Sequence, residues 1–369
     1  MHATAKGPPM QFDVTPNPQP VDAARRREIL ADPGFGTHFT DHTAVVDWSW
    51  DESGGHWHSA RVEAYGPIQL DPAASVLHYA QEVFEGMKAY RHADGGIYTF
   101  RPQANAARLQ RSARRLALPE LDEATFLASL EQLLALDHAW VPDGDGAALY
   151  LRPFMYASEA FLGVRPAHEV SYRVIASPAG NYFGGELKPV RIWVSRDYTR
   201  AAPGGTGAAK TGGNYAGSLV AQQQAADNGC AQVLFLDPLH DNAVEELGGM
   251  NVFLVTSDGR LITPALTGTI LEGITRESVI QLGRDRGLEV EERRITLDEW
   301  ARGVEDGTIT EAFACGTAAV ITPIGELVDG DTVIASAGTG EVTTSIREEL
   351  LGIQTGAVQD RHGWLHRLA

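Results

Sequence analysis

One lysine in a glycine-dense loop is the residue of this chain with the clearest chemical potential. Lys210 lies in Pro203-Gly-Gly-Thr-Gly-Ala-Ala-Lys-Thr-Gly-Gly-Asn-Tyr215, and the 369 residues include only four lysines against 26 arginines. Arginine stays protonated in proteins, whereas a lysine amine can lose its proton and condense with a carbonyl group to form an imine. The loop therefore predicts a Schiff-base lysine at position 210.

Three further features meet the needs of one cofactor, pyridoxal phosphate. Such a site requires a phosphate cradle, a partner for the phenolate oxygen and an acid beside the pyridine nitrogen. Tyr215 is placed to bind the phenolate, and Glu246 could hold the nitrogen protonated, with its neighbour Glu245 as the rival for that role. Gly273-Ile-Thr-Arg276 opens a predicted helix, whose N-terminal amides can bind phosphate. Together the pieces predict a pyridoxal phosphate site.

A nucleotide-binding phosphate loop is the main alternative for the same segment, next to a plain surface loop. The pattern G-x-x-x-x-G-K-[ST] fails at Ala209, where its second glycine should stand. Polar and small residues also separate the loop from the preceding strand, whereas a phosphate loop leaves its strand directly. Nucleotide hydrolysis is therefore disfavoured.

The elements that must position these residues follow no steady βαβ rhythm, which favours an α+β fold. The pattern predicts strands at 43–48, 60–66, 148–156, 171–176, 190–195 and 232–237, hairpins near 93–96 and at 251–263, and helices at 73–86, 102–115, 122–141, 215–227, 274–286, 297–306 and 341–353. Turn-forming residues indicate a linker after residue 177. The expected organisation is a flexible N-terminal arm (1–33), a small α+β domain (34–177), an interdomain linker (178–187) and a large cofactor-binding domain (188–369).

Composition excludes several classes of partner. The net charge of −18 argues against nucleic acid and anionic membrane, because both need a basic face. The apolar runs are too short to span a bilayer, and the proline-rich start resembles no signal peptide. Two cysteines, Cys230 and Cys315, fit a reducing compartment, so a cytoplasmic protein is expected. No carboxylate or cysteine stands next to His56 and His58 in the sequence to complete a ligand set, so no metal site is predicted.

Four motifs of the chain resemble the branched-chain amino acid aminotransferases of fold type IV, in the class IV aminotransferase family, and have the form of actinobacterial members. They are Leu77-His-Tyr-Ala-Gln-Glu-Val-Phe-Glu-Gly-Met-Lys-Ala-Tyr90, Lys210-Thr-Gly-Gly-Asn-Tyr215, Glu246-Leu-Gly-Gly-Met-Asn251 and Phe313-Ala-Cys-Gly-Thr-Ala-Ala319. The resemblance covers nearly the whole chain. It implies a two-domain fold like that of D-amino acid aminotransferase, with a small α+β domain and a larger pseudo-barrel domain. The implied reaction is reversible transamination of leucine, isoleucine and valine with 2-oxoglutarate, which gives branched-chain 2-oxo acids and L-glutamate.

The resemblance also implies roles for individual residues. Lys210 would carry the cofactor as a Schiff base and later move a proton at the substrate α-carbon. Tyr215 and Glu246 would bind the phenolate and the pyridine nitrogen. The phosphate would be bound by four residues: Arg108, Ile274, Thr275 and Thr317. The backbone amides of Thr317 and Ala318 would receive the substrate carboxylate.

An apolar substrate pocket is implied as well, with walls from Phe39, Phe84, Tyr150 and Ala318. Arg152 would meet the side-chain carboxylate of glutamate, and it shares a strand face with Tyr150 because the two are two residues apart. Tyr79 and the loop from Leu162 to Val164 would reach into the site of the other subunit. The resemblance therefore implies a homodimer.

Some alternatives and departures accompany this interpretation. A D-amino acid aminotransferase or an aminodeoxychorismate lyase of the same fold is the nearest alternative, and the apolar wall with Arg152 disfavours both. A non-catalytic pyridoxal phosphate carrier would have no use for the carboxylate turn at Thr317-Ala318.

Glu272 stands where many relatives have proline, so it is expected to point outward. A Cys-x-x-Cys redox pair would need a second cysteine three residues after Cys315, but Ala318 stands there. Redox control is therefore not expected. The preference among leucine, isoleucine and valine stays open, as does the direction of the reaction.

Overall fold

The computed structural model describes residues 8–144, 146–180, 188–237, 239–336 and 339–369. The chain forms two compact units. The first contains Met1–Tyr182, Ala209–Gly212 and Ile353–Ala369, and the second contains Phe183–Ala208 and Gly213–Gly352. The four residues around Lys210 thus pack with the first unit, although the chain on both sides of them packs with the second.

Strands outnumber helices in the part of the chain that the structure describes. The strands are β1 (Asp13–Val14), β2 (His42–Asp51), β3 (Gly54–Ala64), β4 (Glu82–Phe84), β5 (Met87–Arg91), β6 (Ile97–Phe100), β7 (Ala148–Ala157), β8 (Glu169–Ala179), β9 (Val190–Val194), β10 (Gln232–Asp237), β11 (Ala243–Leu247), β12 (Asn251–Thr256), β13 (Arg260–Thr263), β14 (Glu289–Glu292), β15 (Ile309–Gly316), β16 (Val320–Asp329), β17 (Thr332–Ala335) and β18 (Leu365–Arg367). The helices are α1 (Ala23–Ala31), α2 (Ser75–Tyr79), α3 (Pro102–Arg115), α4 (Glu123–Asp137), α5 (Gly212–Asp227), α6 (Ile274–Asp285), α7 (Leu297–Glu305) and α8 (Glu341–Thr355), with a 3-10 turn at His138–Trp140. Among the described residues, no helix has the length and apolar character needed to cross a membrane.

The first unit is built on a mixed sheet in the order β1-β3-β2-β8-β7-β5-β6-β18, with β4 paired to β7. Its core buries apolar side chains of the sheet together with Phe126, Leu130 and Leu133 of α4. On β7, Leu149 and Leu151 belong to this core. Because successive strand residues point to opposite faces, the intervening Tyr150 and Arg152 face away from it.

The second unit contains a mixed sheet in the order β11-β10-β9-β16-β15-β12-β13-β14, with β17 paired to β16. Its core is formed by the inward side chains of these strands and by Leu297 and Trp300 of α7. The antiparallel ladder of β12 and β15 sets Asn251 opposite Cys315, and a tight turn joins β15 to β16. These neighbouring strand ends carry several residues of the predicted site. Helices and mixed sheets together confirm the expected α+β class.

Two segments differ from the sequence-based prediction. The helix expected across 73–86 is wrong in extent, because α2 ends at Tyr79, Ala80 adopts a left-handed conformation (φ 48°) and β4 follows. The physical reason is the antiparallel pairing of β4 with β7, which buries Val83 completely and outweighs local helical propensity. Within the range expected to be a flexible arm, α1 forms a helix capped by the Asp22 side chain.

The expected domain boundaries stay a prediction. Residues 181–187 of the expected linker lie outside the described residues. At the other end of the chain, β18 pairs antiparallel with β6 and thereby joins the sheet of the first unit, whereas the sequence places it in the expected domain 188–369.

Candidate active site

Lys210 is held by its backbone among residues of the first unit. Its N–H donates to Ser112 Oγ of α3 at 2.9 Å, and its carbonyl accepts from the Phe84 N–H of β4 at 3.0 Å. The Lys210 Nζ lies 4.7 Å from the centroid of the Phe84 ring. The Glu82 carboxylate accepts the Gly212 N–H and, at 3.4 Å, the Thr211 hydroxyl. The peptide that carries the predicted Schiff-base lysine is therefore fixed on both sides of the lysine.

Arg108 forms a buried ion pair with Glu85. The carboxylate receives Arg108 Nε at 2.7 Å and Nη2 at 2.8 Å, and Asn105 Nδ2 donates to it at 2.7 Å. The side chains are 4% and 0% exposed. The guanidinium thus has a fixed orientation within the core of the first unit, which the sequence could not supply.

The first unit contains a cavity of about 330 Å³. Its lining residues are Phe35, Gly36, Phe39, Tyr150, Arg152, Ile175, Ala176 and Ser177. Arg152 Nη2 donates to Tyr150 Oη at 3.1 Å, and the guanidinium carbon lies 4.8 Å from the centroid of the Phe84 ring. Arg152 Nε is buried without a hydrogen-bond partner among the described residues. Phe39, Phe84, Tyr150 and Arg152, predicted as one pocket, are thus brought together, while Ala318 belongs to the second unit.

Tyr79, Leu162 and Val164 form an exposed group on the first unit. The Tyr79 hydroxyl donates to the Leu162 carbonyl, and Val164 is 89% exposed. Exposure of three large apolar side chains in one place is typical of a protein interface.

In the second unit, Glu246 of β11 is a buried carboxylate with several donors. Its Oε1 receives Arg200 Nη1 at 2.9 Å and the Leu271 N–H at 2.8 Å, and Oε2 receives Asn251 Nδ2 at 3.3 Å. The side chains of Arg200 and Glu246 are 2% and 3% exposed. A buried carboxylate that accepts hydrogen bonds from a guanidinium and a backbone amide has a fixed orientation, which suits a partner for a protonated ring nitrogen.

Tyr215 and the turn after Cys315 lie beside the Glu246–Asn251 motif of the second unit. Gly249 lies close to Tyr215, because a Cβ atom added to this glycine would be 3.9 Å from Tyr215 Cε1. Gly316 lies close to Gly249, because a Cβ atom added to Gly316 would be 3.3 Å from the Gly249 carbonyl oxygen. Tyr215 and the turn with Thr317 and Ala318 therefore both flank the Glu246–Asn251 motif. Burial raises the pKa of the Cys315 thiol, so this side chain stays protonated and is not a nucleophile.

The first turn of α6 lies next to the same motif. Asn251 Nδ2 donates to the Leu271 carbonyl at 3.1 Å, just before the helix. Gly273 occupies the N-cap position directly before Ile274 and Thr275, and the N-terminus of a helix can bind phosphate. Glu272 is exposed, in agreement with the expectation that it points outward.

Comparison with known proteins decides the family. The profile of the amino-transferase class IV family matches residues 82–327. The branched-chain-amino-acid aminotransferase of Mycolicibacterium smegmatis is 57% identical over 366 residues, which cover 98% of this chain and 99% of that protein. The chain belongs to the branched-chain aminotransferases of class IV.

Solved structures agree with this assignment. The branched-chain aminotransferase of the archaeon Thermoproteus uzoniensis with norvaline has a TM-score of 0.72 and 28% identity, over 88% of this chain and 100% of that chain. The branched-chain amino acid aminotransferase of Thermobaculum terrenum in its PLP-bound holo form has a TM-score of 0.69 and 26% identity, over 89% of this chain and 100% of that chain. These similarities confirm the fold type IV architecture of this aminotransferase.

Several contact residues of this aminotransferase were missed from the sequence. Glu82, Glu85 and Asn251 lie inside motifs that were recognised, but nothing in the motifs showed which atoms they bind. Ser112 and Arg200 lie outside the motifs, and no spacing rule links them to Lys210 or Glu246. Only the folded backbone brings these groups together.

Proposed function

We propose that this aminotransferase catalyses reversible transamination of branched-chain L-amino acids with 2-oxoglutarate, with pyridoxal phosphate bound covalently to Lys210. The observation that carries the proposal is the cavity with Phe35, Phe39 and Tyr150 on its wall and Arg152 at its side. An aromatic wall favours an aliphatic side chain, by about 0.8 kcal/mol for each methylene group buried. The buried Nε of Arg152, which has no partner among the described residues, suits the side-chain carboxylate of glutamate.

The residues present fit the cofactor. Tyr215 would bind the phenolate oxygen and Glu246 the ring nitrogen, while Ile274, Thr275, Thr317 and Arg108 would hold the phosphate. The fit is supported by the buried ion pair of Glu246 with Arg200 and by the N-terminus of α6, which begins at Ile274. When bound, pyridoxal phosphate supplies an electron sink for the charge left at the substrate α-carbon after deprotonation.

The chain's own residues would supply binding and proton transfer. The Lys210 amine would take the proton from the substrate α-carbon and return it on the cofactor side. The amides of Thr317 and Ala318 would bind the α-carboxylate and so orient that carbon. Glu85 fixes the orientation in which the Arg108 guanidinium would meet the phosphate. Phe84 covers the Lys210 amine on one side and helps to exclude water.

A homodimer is part of the proposal. Tyr79, Leu162 and Val164 would reach the site of the second subunit, which would explain the exposure of three large apolar side chains.

The visible absorption spectrum of the purified holoenzyme tests the proposal. The band of the lysine-bound cofactor should vanish on addition of L-leucine and return on addition of 2-oxoglutarate. Arg152→Met should keep the response to leucine and lose most of the response to 2-oxoglutarate, because only the latter needs the guanidinium. A response to D-alanine instead of leucine would favour a D-amino acid aminotransferase. A band that survives in Lys210→Ala would refute the assignment of the lysine.

A further inference from the structure

Glu82 is a partly buried carboxyl group for which the reaction described above has no use. It lies on β4, where Val83 points into the core and is fully buried. Because strand residues two apart share a face, Glu82 and Phe84 point to the same side, away from that core. Both residues contact the same backbone segment. The Phe84 N–H donates to the Lys210 carbonyl, and the Glu82 carboxylate accepts from the Thr211 hydroxyl and the Gly212 N–H.

The contact of Glu82 with Gly212 depends on the glycine. A Cβ at position 212 would overlap the Glu82 carboxylate oxygen, so only glycine lets the carboxylate reach this amide. Gly212 is also the first residue of α5, and a negative charge at a helix N-terminus is stabilised by the helix dipole. The Gly212 N–H, the Thr211 hydroxyl and the start of a helix thus converge on one carboxyl group.

The position of Glu82 has an electrostatic cost. Burial raises the pKa of Glu82, and the bonds from Gly212 and Thr211, together with the charge of Arg152, act in the opposite direction. A partly buried donor that loses its acceptor is left unsatisfied, so the Glu82 carboxylate stabilises Thr211 and Gly212 in this position.

We propose that Glu82 is a positioning residue that fixes Thr211 and Gly212 and thereby sets where the Lys210 amine can reach. Ser112 and the Phe84 amide hold the lysine itself, and Glu82 holds the chain directly after it. Without the carboxyl group, the start of α5 loses an acceptor, and the Lys210 backbone can rotate away from Phe84. The proposal rests on the proposed role of Lys210 in the reaction.

The test compares Glu82→Ala with Glu82→Gln, since glutamine keeps an oxygen that can accept the Gly212 N–H. The first readout is hydrogen exchange of the peptide 209–215 in the cofactor-free protein. Exchange should be roughly tenfold faster or more in Glu82→Ala, because the Gly212 N–H loses its acceptor, and should stay near the wild-type rate in Glu82→Gln, which keeps an accepting oxygen. The second readout is kinetic. In Glu82→Ala, kcat with leucine should fall by roughly tenfold with little change in KM, because the amine and not the pocket is displaced.

Glu120→Ala serves as the control, since Glu120 forms an exposed pair with Arg114 on the same unit and should leave both readouts unchanged. The proposal is overturned if the peptide exchanges at the wild-type rate in Glu82→Ala, or if glutamine fails to restore kcat. Failure of the proposed function would look different. The wild-type spectrum would then ignore leucine, while the exchange of 209–215 in the cofactor-free protein would still report on Glu82.

Discussion

Glu85 binds the Arg108 guanidinium with both carboxylate oxygens, at 2.7 Å from Nε and 2.8 Å from Nη2. Asn105 donates to the same carboxylate at 2.7 Å, so one buried acid joins two residues of α3 to the strand segment that also holds Lys210. The pair therefore links the orientation of the proposed phosphate ligand to the integrity of the core.

Glu85→Gln should destabilise the protein and weaken cofactor binding. Removing the charge of Glu85 leaves the buried Arg108 guanidinium uncompensated, which should lower the free energy of unfolding by about 3–5 kcal/mol. Urea denaturation of the cofactor-free protein measures the first effect, and titration with pyridoxal phosphate measures the second. An unchanged affinity for pyridoxal phosphate would contradict the role proposed for Arg108.

Arg114→Gln provides the matched control on the same helix. Arg114 pairs with Glu120 at 2.7 Å, but its side chain is 62% exposed. Exposed ion pairs contribute less than about 1 kcal/mol, so this variant should unfold near the wild-type urea concentration. Similar losses in both variants would show that burial does not decide the effect.

Gly86→Ala should impair substrate binding through Tyr150. A Cβ at position 86 would overlap the Tyr150 hydroxyl, which accepts a hydrogen bond from Arg152. Displacing that ring alters the pocket wall and the guanidinium together, so kcat/KM for leucine should fall roughly 10- to 100-fold. Gly66→Ala is the control, because nothing lies within 4 Å of its Cβ position. Equal kinetics in the two alanine variants would refute the argument.

Gly273→Ala should weaken cofactor binding without a change at any proposed ligand. The new Cβ would overlap Asn251 Oδ1, and Asn251 is the residue that joins Glu246 to the Leu271 carbonyl before α6. Loss of one such buried hydrogen bond should raise the dissociation constant of pyridoxal phosphate roughly fivefold or more. Gly217→Ala, with open space at its Cβ, should leave that constant unchanged.

Local sequence signals predicted most of the elements. Pro102 stands at the first position of α3, and Gly229, with a φ of 66°, follows the end of α5 as a glycine C-cap should. The expected strand 232–237 is β10 without any change of bounds. Such signals act within a few residues, so they are readable without the fold.

What the sequence could not supply depends on contacts between distant residues. The 73–86 segment splits into α2 and β4 because β7 pairs with its second half. The Arg200–Glu246 pair and the anchoring of Lys210 by Ser112 likewise join residues far apart in the chain. Motifs identified Lys210, Tyr215 and Glu246, whereas the groups that hold them required the folded backbone. Roles of the predicted site residues stay predictions until they are measured.

Glu245 should make the stability of the second unit depend on pH. Burial raises the pKa of this carboxyl group above its ordinary value of 4.5; the Thr269 hydrogen bond lowers it, Asp237 adds to the rise, and the charge of Arg200 lowers it again. The folded-state pKa of Glu245 lies above its unfolded-state pKa. At pH values between the two, the native state holds a proton that the unfolded chain has lost. The contribution of Glu245 is therefore complete below pH 4.5 and is lost as pH rises through the raised pKa.

Glu245→Gln should remove this dependence, because glutamine has no proton to lose. The free energy of unfolding, measured in urea at a series of pH values, should fall with rising pH more steeply in the wild type than in the variant. Glu305→Gln, exposed near the end of α7, is the matched control and should leave the wild-type slope unchanged. If the free energy of unfolding of Glu245→Gln depends on pH as steeply as that of the wild type, Glu245 is ionised in the folded protein at all the pH values measured. The charge of Arg200 would then outweigh the effect of burial.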